Sequence, residues 1–284
     1  TFGGVTLTNT GGADIVVMKL DGNGNAQWVR QAGGPTDDEV FGIAVDSSGA
    51  VFITGDFTSN ATFGSTTLTN ASAFLSDIFV AKLDASGNWV WARKVGGTSA
   101  DGGRDIAVNN NGSIALSGFF SGMVTFGTNL LTSVGGTLDA FAAQLDSDGM
   151  VVLVQQAGGS ASLGDQGLGV TIDANGNIAM TGSFSGTGLV GARQLTSAGN
   201  TDLFTTRFQS AGLSTVTLSF VIQPGEIVLS WPNSATGYFL QTTTNTPADT
   251  NFSNVAGSPA SSGTNFVFTN SATDTRRFFR LRKP

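Results

Sequence analysis

The sequence predicts an all-β protein built from a repeated unit of about 63 residues. The stretch "DIVVMKLDGNGNAQWVRQAGG" at 14–34 recurs as "DIFVAKLDASGNWVWARKVGG" at 77–97 and as "DAFAAQLDSDGMVVLVQQAGG" at 139–159, and a diverged copy begins at Asp202. The composition, with 40 Gly, abundant Thr, Ser and Asn, and few Lys or Glu, favours strands and turns over helices.

A second repeated block lies between these copies. It reads "FGIAVDSSGAVFITGDF" at 41–57, "RDIAVNNNGSIALSGFF" at 104–120 and "LGVTIDANGNIAMTGSF" at 168–184. Each copy joins two apolar runs by Asp/Asn-x-x-Gly, which suits a hairpin turn with glycine at positive φ. Because Ile43–Val45 and Val51–Ile53 are apolar on both faces, we expect neighbours to cover both. Each repeat thus predicts four antiparallel strands, A to D, with A and B as the buried hairpin and C and D as the more exposed one.

Four-stranded units that bury both faces are typical of the blades of a β-propeller, whereas solenoid repeats are usually shorter. The sequence predicts a partial propeller of about 3.5 blades: a half blade within 1–34 and blades at about 40–97, 104–157 and 167–220. Such an arc leaves open edges, so we expect self-association through them. The start in mid-repeat without Met also predicts that further blades precede this sequence.

Several of these elements carry a resemblance to a known family. "GIAVDSSGAVFITG" at 42–55, "DIFVAKLDASGNWVW" at 77–91 and the closing "GG" resemble the bacterial β-propeller repeat known as SBBP, over about residues 1–212. The resemblance implies a propeller fold and a secreted or surface-exposed bacterial protein. It implies little about activity.

The composition changes near residue 213, where we place the boundary between the repeats (1–213) and a C-terminal module (214–284). The first part has a net charge of −9 and the second of +2. "EIVLSW", "YFLQ" and "FFRLR" resemble a small fibronectin type III-like β-sandwich, which implies Trp231 as its core residue and Tyr238 as the partner of that Trp. The segment 215–220 fits either the last blade or this module, and the basic segment 276–283 predicts an edge strand with a charged face.

The missing residue types exclude several functions. Without Cys or His the chain has no disulfide, no thiol chemistry, no Ser-His-Asp triad and no ordinary zinc site. The acidic repeats argue against nucleic acid as a partner. No run of about 18 apolar residues occurs, so we expect no membrane span.

The long D–A and B–C loops share one face of the predicted blades, and this face is acidic. Its carboxylates are Asp14, Asp37, Asp38, Glu39, Asp77, Asp101, Asp105, Asp139, Asp165 and Asp202. Four of them, Asp14, Asp77, Asp139 and Asp202, recur once per blade, which indicates loop closure rather than catalysis. Asp38 and Glu39 stand outside that pattern and are therefore candidate ligand-binding residues.

The turns and the aromatic residues offer further candidates. "DGNGN" at 21–25, "DSDG" at 146–149 and "DANGN" at 173–177 place oxygens at alternate positions but lack the twelfth-position acid of an EF-hand, so we expect turns, with weak calcium binding as the alternative. Trp28 and Trp91 share a position with Leu153, which indicates core packing. Trp89 has Ala26 and Val151 as counterparts, and is a candidate contact residue on the rim.

The sequence therefore predicts a non-enzymatic, secreted or cell-surface β-propeller without a cofactor. We expect it to act as a binding or structural module for a glycan, a surface protein or another subunit. The alternative is an extracellular carbohydrate-active enzyme, a glycoside hydrolase or lyase, that uses carboxylates on the acidic loop face.

Overall fold

A computed structural model describes residues 4–70, 72, 74–160, 163–209, 218–233, 238–244, 252–255, 257–271 and 277–282. The protein is all-β and divides into two compact units, Thr1–Ala211 and Gly212–Pro284, at a boundary two residues before the predicted one. The one helical segment within the described ranges is a 3-10 turn at Val134–Gly136. No helix of the described residues is long and apolar enough to cross a membrane.

The strands are numbered along the chain. The half blade and the second repeat contain β1 (Ile15–Leu20), β2 (Ala26–Ala32), β3 (Asp38–Val45), β4 (Val51–Phe57), β5 (Asn60–Phe63), β6 (Thr66–Thr69), β7 (Asp77–Leu83) and β8 (Trp89–Gly97). The third repeat contains β9 (Gly102–Val108), β10 (Ile114–Ser121), β11 (Met123–Phe126), β12 (Asn129–Thr132), β13 (Leu138–Leu145) and β14 (Val151–Gly159). The fourth contains β15 (Gln166–Ile172), β16 (Ile178–Phe184), β17 (Thr187–Val190), β18 (Arg193–Thr196) and β19 (Asp202–Phe208). The C-terminal unit contains β20 (Ser219–Gln223), β21 (Glu226–Pro232), β22 (Phe239–Thr243), β23 (Ser253–Asn254), β24 (Ala260–Ser262), β25 (Asn265–Ser271) and β26 (Phe278–Arg282).

The predicted antiparallel blades are present. In the second blade strands A to D are β3, β4, β7 and β8, and in the third they are β9, β10, β13 and β14. The fourth blade shows A to C as β15, β16 and β19, while 210–217, which include part of the segment 215–220 that could serve as its D strand, lie outside the described residues. The half blade consists of β1 and β2, which take the places of C and D. Among the described residues no strand of the half blade pairs with the fourth blade, so the arc of about three and a half blades is open.

Each complete blade extends to six strands, which the sequence did not predict. The sheet orders are β12-β11-β8-β7-β4-β3 and β18-β17-β14-β13-β10-β9. The two outer strands come from the B–C connection of the following repeat, which folds as a small hairpin and adds to the D strand of the blade before it. We call these three hairpins, β5–β6, β11–β12 and β17–β18, the crossover hairpins.

The most buried strands are B and C, so the prediction that A and B form the buried hairpin is wrong. β4 and β7 are buried at six of their seven positions each. B and C lie in the middle of each sheet, with sheet neighbours on both sides and blades above and below. A lies at the edge of the sheet, with a sheet neighbour on one side only.

Successive blades pack face to face around apolar clusters. Ile106 on β9 packs into a cluster with Phe52 and Ile78 of the preceding blade and is 3% exposed. Ile43 occupies the same position on β3, since it pairs with Ile53 as Ile106 pairs with Leu116, yet Ile43 is 60% exposed. The expectation that neighbours cover both faces of Ile43–Val45 is therefore wrong. The half blade has no A and B strands among the described residues, and these strands are the ones that would cover them.

The C-terminal unit consists of two sheets, β20-β21-β25-β24 and β23-β22-β26. Trp231, predicted as the core residue, is buried with Leu229 and Leu240, and Tyr238 packs against this cluster. β26 is an edge strand, as predicted for the basic segment. Phe220 pairs with β21 and so belongs to this unit, whereas 215–217 lie outside the described residues. The fibronectin type III-like assignment stays a prediction.

The contrast between Ile43 and Ile106 gives a matched pair of substitutions. Ile106→Ala should lower the free energy of unfolding by about 2–5 kcal/mol, because it leaves a cavity between two blades. Ile43→Ala should change it by no more than about 0.5 kcal/mol, because the side chain already faces solvent. Urea denaturation of both variants measures this difference, and equal losses would contradict the open arc.

Candidate functional site

The predicted binding face is formed by the D–A and B–C connections, and the crossover hairpins account for the B–C part of it. β11 pairs with β8 through Val124 and Gly97, and β17 pairs with β14 through Val190 and Ala157. Phe63, Phe126 and Val190 at the hairpin ends are buried and so anchor these connections. The B–C connections thus close the seam between two blades instead of forming free loops.

The "GG" at 33–34, 96–97 and 158–159 marks the point where two segments of the backbone cross. A Cβ on the second glycine, Gly34 or Gly97, would collide with the main-chain carbonyl of the crossover hairpin, at Asn60 or Met123 respectively. A Cβ on the first glycine would collide with an aspartate, as Gly96 shows with Asp77. Glycine is required at both positions because two backbones and a carboxylate meet there.

A buried aspartate of the D–A connection closes each seam. Asp101 accepts hydrogen bonds from the amides of Gly97 at 2.8 Å and Ser121 at 3.1 Å. Asp165 accepts them from Gly159 and Ser185, each at 2.8 Å, and Asp38 accepts one from Gly34 at 2.7 Å. The prediction that Asp38 stands outside the repeat pattern is therefore wrong. The repeat was missed because the aspartate follows "GG" by four residues in two copies and by six in the third.

The aspartate that opens each C strand lies beside this first one. Asp14, Asp139 and Asp202 accept hydrogen bonds from the amides of Thr10, Val134 and Ala198 at 3.1, 3.1 and 2.7 Å, which confirms loop closure. The D strand supplies a side-chain donor to three of the four aspartates that open C strands: Gln31 to Asp14, Lys94 to Asp77 and Gln156 to Asp139. Each seam therefore holds a pair of acids, Asp14 with Asp38, Asp77 with Asp101 and Asp139 with Asp165. We call these the seam pairs.

Burial raises the pKa of five seam aspartates, Asp38, Asp77, Asp101, Asp139 and Asp165. It raises the pKa of Asp38 and Asp101 to about 7 and that of Asp139 to about 6. The neighbouring carboxylates add to this: Asp14, Asp37 and Asp56 around Asp38, Asp77 at Asp101, and Asp165 at Asp139. At Asp101 the ammonium of Lys94 acts in the opposite direction. The Oδ1 atoms of Asp38, Asp77 and Asp139 are buried and have no hydrogen-bond partner in the described part of the chain, which adds to the cost of keeping these groups ionised.

The structure does not bring the three candidate ligand-binding residues together. Asp38 is buried at the start of β3, and Glu39 is exposed beside it. Trp89 lies at the opposite end of the blade, where it pairs with Leu83 next to the C–D turn. The indole of Trp89 packs edge-on against Phe63, with ring centroids 5.3 Å apart, and so supports a crossover hairpin.

The short turns at the other end of the blades are closed by their own aspartates. Asp21 accepts hydrogen bonds from the amides of Asn23 and Asn25 at 2.8 Å, and Asp146 and Asp173 repeat the pattern. The predicted turns are thus confirmed. Among the described residues no three acidic side chains converge to hold a metal ion.

Trp28 and Trp91 make a second link between blades. The indole Nε1 of Trp28 donates to the carbonyl of Ala85 at 3.2 Å, and that of Trp91 to the carbonyl of Ser147 at 3.3 Å. Both acceptors lie in the C–D turn of the following blade. The sequence predicted apolar packing at this position. It did not predict the hydrogen bond, because the acceptor belongs to the neighbouring blade.

Comparison with known proteins agrees with this architecture. Residues 27–60 match the family model described as the β-propeller repeat, SBBP. The chain is also 29% identical over 122 residues to an uncharacterized WD repeat-containing protein of Acanthamoeba polyphaga mimivirus. That match covers 41% of this chain and 9% of the viral protein. Stacked antiparallel blades and these similarities together define a β-propeller repeat protein, a repeat-based binding or structural module.

The seam pairs predict how stability depends on pH. A carboxyl group whose pKa is raised on folding contributes stability that is complete below the unfolded value of 3.8 and is lost as the pH rises through its folded pKa. The free energy of unfolding should therefore fall between about pH 4 and pH 7, the interval between the unfolded and the folded pKa values. The turn carboxylates do not mask this effect. Hydrogen bonds from the backbone and side chain of Asn25 lower the pKa of Asp21, so the titration of Asp21 changes the free energy of unfolding only below that pH window.

Urea denaturation at several pH values measures this slope. Asp101→Asn serves as the control, because the amide does not titrate and the slope should become shallower. A free energy of unfolding that rises from about pH 4 to pH 7 would contradict the raised pKa values.

Proposed function

We propose that this chain is a non-enzymatic binding and structural module of a secreted or cell-surface protein, and that its ligand is a protein. The observation that carries the proposal is the exposed apolar surface of β3. Phe41, Ile43 and Val45 are exposed there, although Ile106, the counterpart of Ile43 in the third blade, is buried. Exposed apolar surface of this kind is typical of protein–protein contacts. The secreted or surface location rests on the resemblance to SBBP repeats.

The acidic face gives weaker support to the alternative, a glycoside hydrolase or lyase. A pair of carboxyl groups with one raised pKa suits acid–base chemistry on sugars. However, the seam pairs recur in three places, where Asp38, Asp101 and Asp165 are each buried and each accept the amide of the second glycine of "GG". A glycosidic bond could not reach these oxygens without separating two blades. We therefore assign the seam pairs to holding the blades together.

The experiment compares protein binding with polysaccharide turnover. In sedimentation velocity, the chain should associate with itself or with an added propeller protein, and the double substitution Ile43→Ser and Val45→Ser should abolish association without loss of folding. Assays with a panel of polysaccharides should show no new reducing ends. Runs in EDTA and in calcium should agree, because the turn carboxylates already accept backbone amides. Polysaccharide cleavage that Asp101→Asn abolishes would overturn the proposal.

A further inference from the structure

The half blade presents a strand edge that every other blade covers. β1 pairs with β2 in the same antiparallel register that joins β7 to β8. The opposite edges of β7, β13 and β19 pair with the B strands β4, β10 and β16. The corresponding edge of β1 has no partner strand in the described part of the chain. A free strand edge is a template for pairing with another strand.

The sequence of β1 fits the same kind of partner as β7. β1 reads IVVMKL and the matching part of β7 reads IFVAKL, with Ile, Val, Lys and Leu at the same four positions. On β7 this pattern pairs with the whole length of β4, from Val51 opposite Leu83 to Phe57 opposite Asp77. The edge of β1 therefore suits a strand of the β4 kind.

An apolar surface adjoins this edge. Val45 on β3 is 59% exposed, whereas Ile172, at the same position of the fourth blade, is 9% exposed. Ile43 shows the same contrast with Ile106. Ile106 is covered by the preceding blade's hairpin β3–β4, whose Phe52 shares its apolar cluster. We treat the edge of β1 and the exposed face of β3 as one surface. In the next blade the hairpin β3–β4 covers the equivalent surface, because β4 pairs with β7 and Phe52 packs against Ile106.

We propose that this surface is a docking site for a β-hairpin of the A–B kind. Its occupant has two short antiparallel strands, apolar residues on both faces and an Asp/Asn-x-x-Gly turn. Its second strand pairs with β1, and its side chains cover Ile43 and Val45. The proposal rests on the proposed function and names the partner of that binding surface.

A second copy of this chain fits the surface less well. In the described residues each A–B hairpin is already joined to its own C strand: β3–β4 to β7, β9–β10 to β13 and β15–β16 to β19. A second copy could offer such a hairpin only by breaking one of its own sheets. The occupant is therefore an A–B hairpin that has no C strand of its own to pair with.

The test uses a synthetic peptide of residues 38–57, the A–B hairpin of the second blade, as the probe. Fluorescence anisotropy of the labelled peptide with the full chain should show saturable binding of one peptide per chain. The Ile43→Ser and Val45→Ser double variant should bind at least about tenfold more weakly, because an apolar contact of about 1.4 kcal/mol changes affinity by that factor. A control peptide with Phe52→Ser should bind more weakly to the same degree.

A fused form makes the test independent of peptide solubility. The hairpin 38–57, joined ahead of Thr1 by a flexible Gly/Ser linker, should raise the unfolding temperature, and the same fusion with Phe52→Ser in the added hairpin should not.

Equal binding or equal stabilisation by the two hairpins would overturn the docking site. Association that depends on Ile43 but is indifferent to the hairpin would also overturn it, in favour of a second copy or another protein, and would leave the proposed function intact. If the double variant keeps its association and its hairpin binding, the docking site and the proposed function are both overturned.

Discussion

The structure depends on one constraint, the burial of both faces of each sheet against the neighbouring blades. A blade with strands such as β4 and β7, buried along almost their whole length, cannot remain in water alone. The residues that recur at the three seams therefore join two repeats. The "GG" admits the crossover hairpin, and the seam pair binds the amides around the crossing. In two of the repeats a Trp of the D strand also reaches the next C–D turn.

This constraint explains why acidic residues are buried at all. The amides of Gly97 and Ser121 face the crossing point, and a buried amide without an acceptor costs about 1–3 kcal/mol. Asp101 satisfies both amides with one side chain. The second carboxyl group of the pair holds the C strand, and Lys94 offsets the charge in the middle seam only. The other two seams have Gln31 and Gln156 in that place, which donate a hydrogen bond but carry no charge. The aspartates that make the loop face acidic are thus the same residues that hold the blades together.

The local features of the fold were predictable from the sequence, and the features that involve two repeats were not. The strands, the Asp/Asn-x-x-Gly turns and the core role of Trp231 follow from patterns within a few residues. The crossover hairpins were read as loops, because pairing with the preceding blade cannot be seen within one repeat. The same holds for Asp38, whose role depends on Gly34 and on its counterparts in two other seams. The exposure of Ile43 reflects a neighbour that the repeat pattern assumes and the half blade lacks.

Amide hydrogen exchange of the intact chain tests the dependence on neighbouring blades most directly. Protection should be greatest in β10 and β13, which have a blade on both sides, and lowest in β1 and β3, at the open end of the arc. Addition of the 38–57 hairpin should raise protection in β1 and β3 first. Protection of β1 and β3 equal to that of β10 in the chain alone would contradict an open arc held together by its seams.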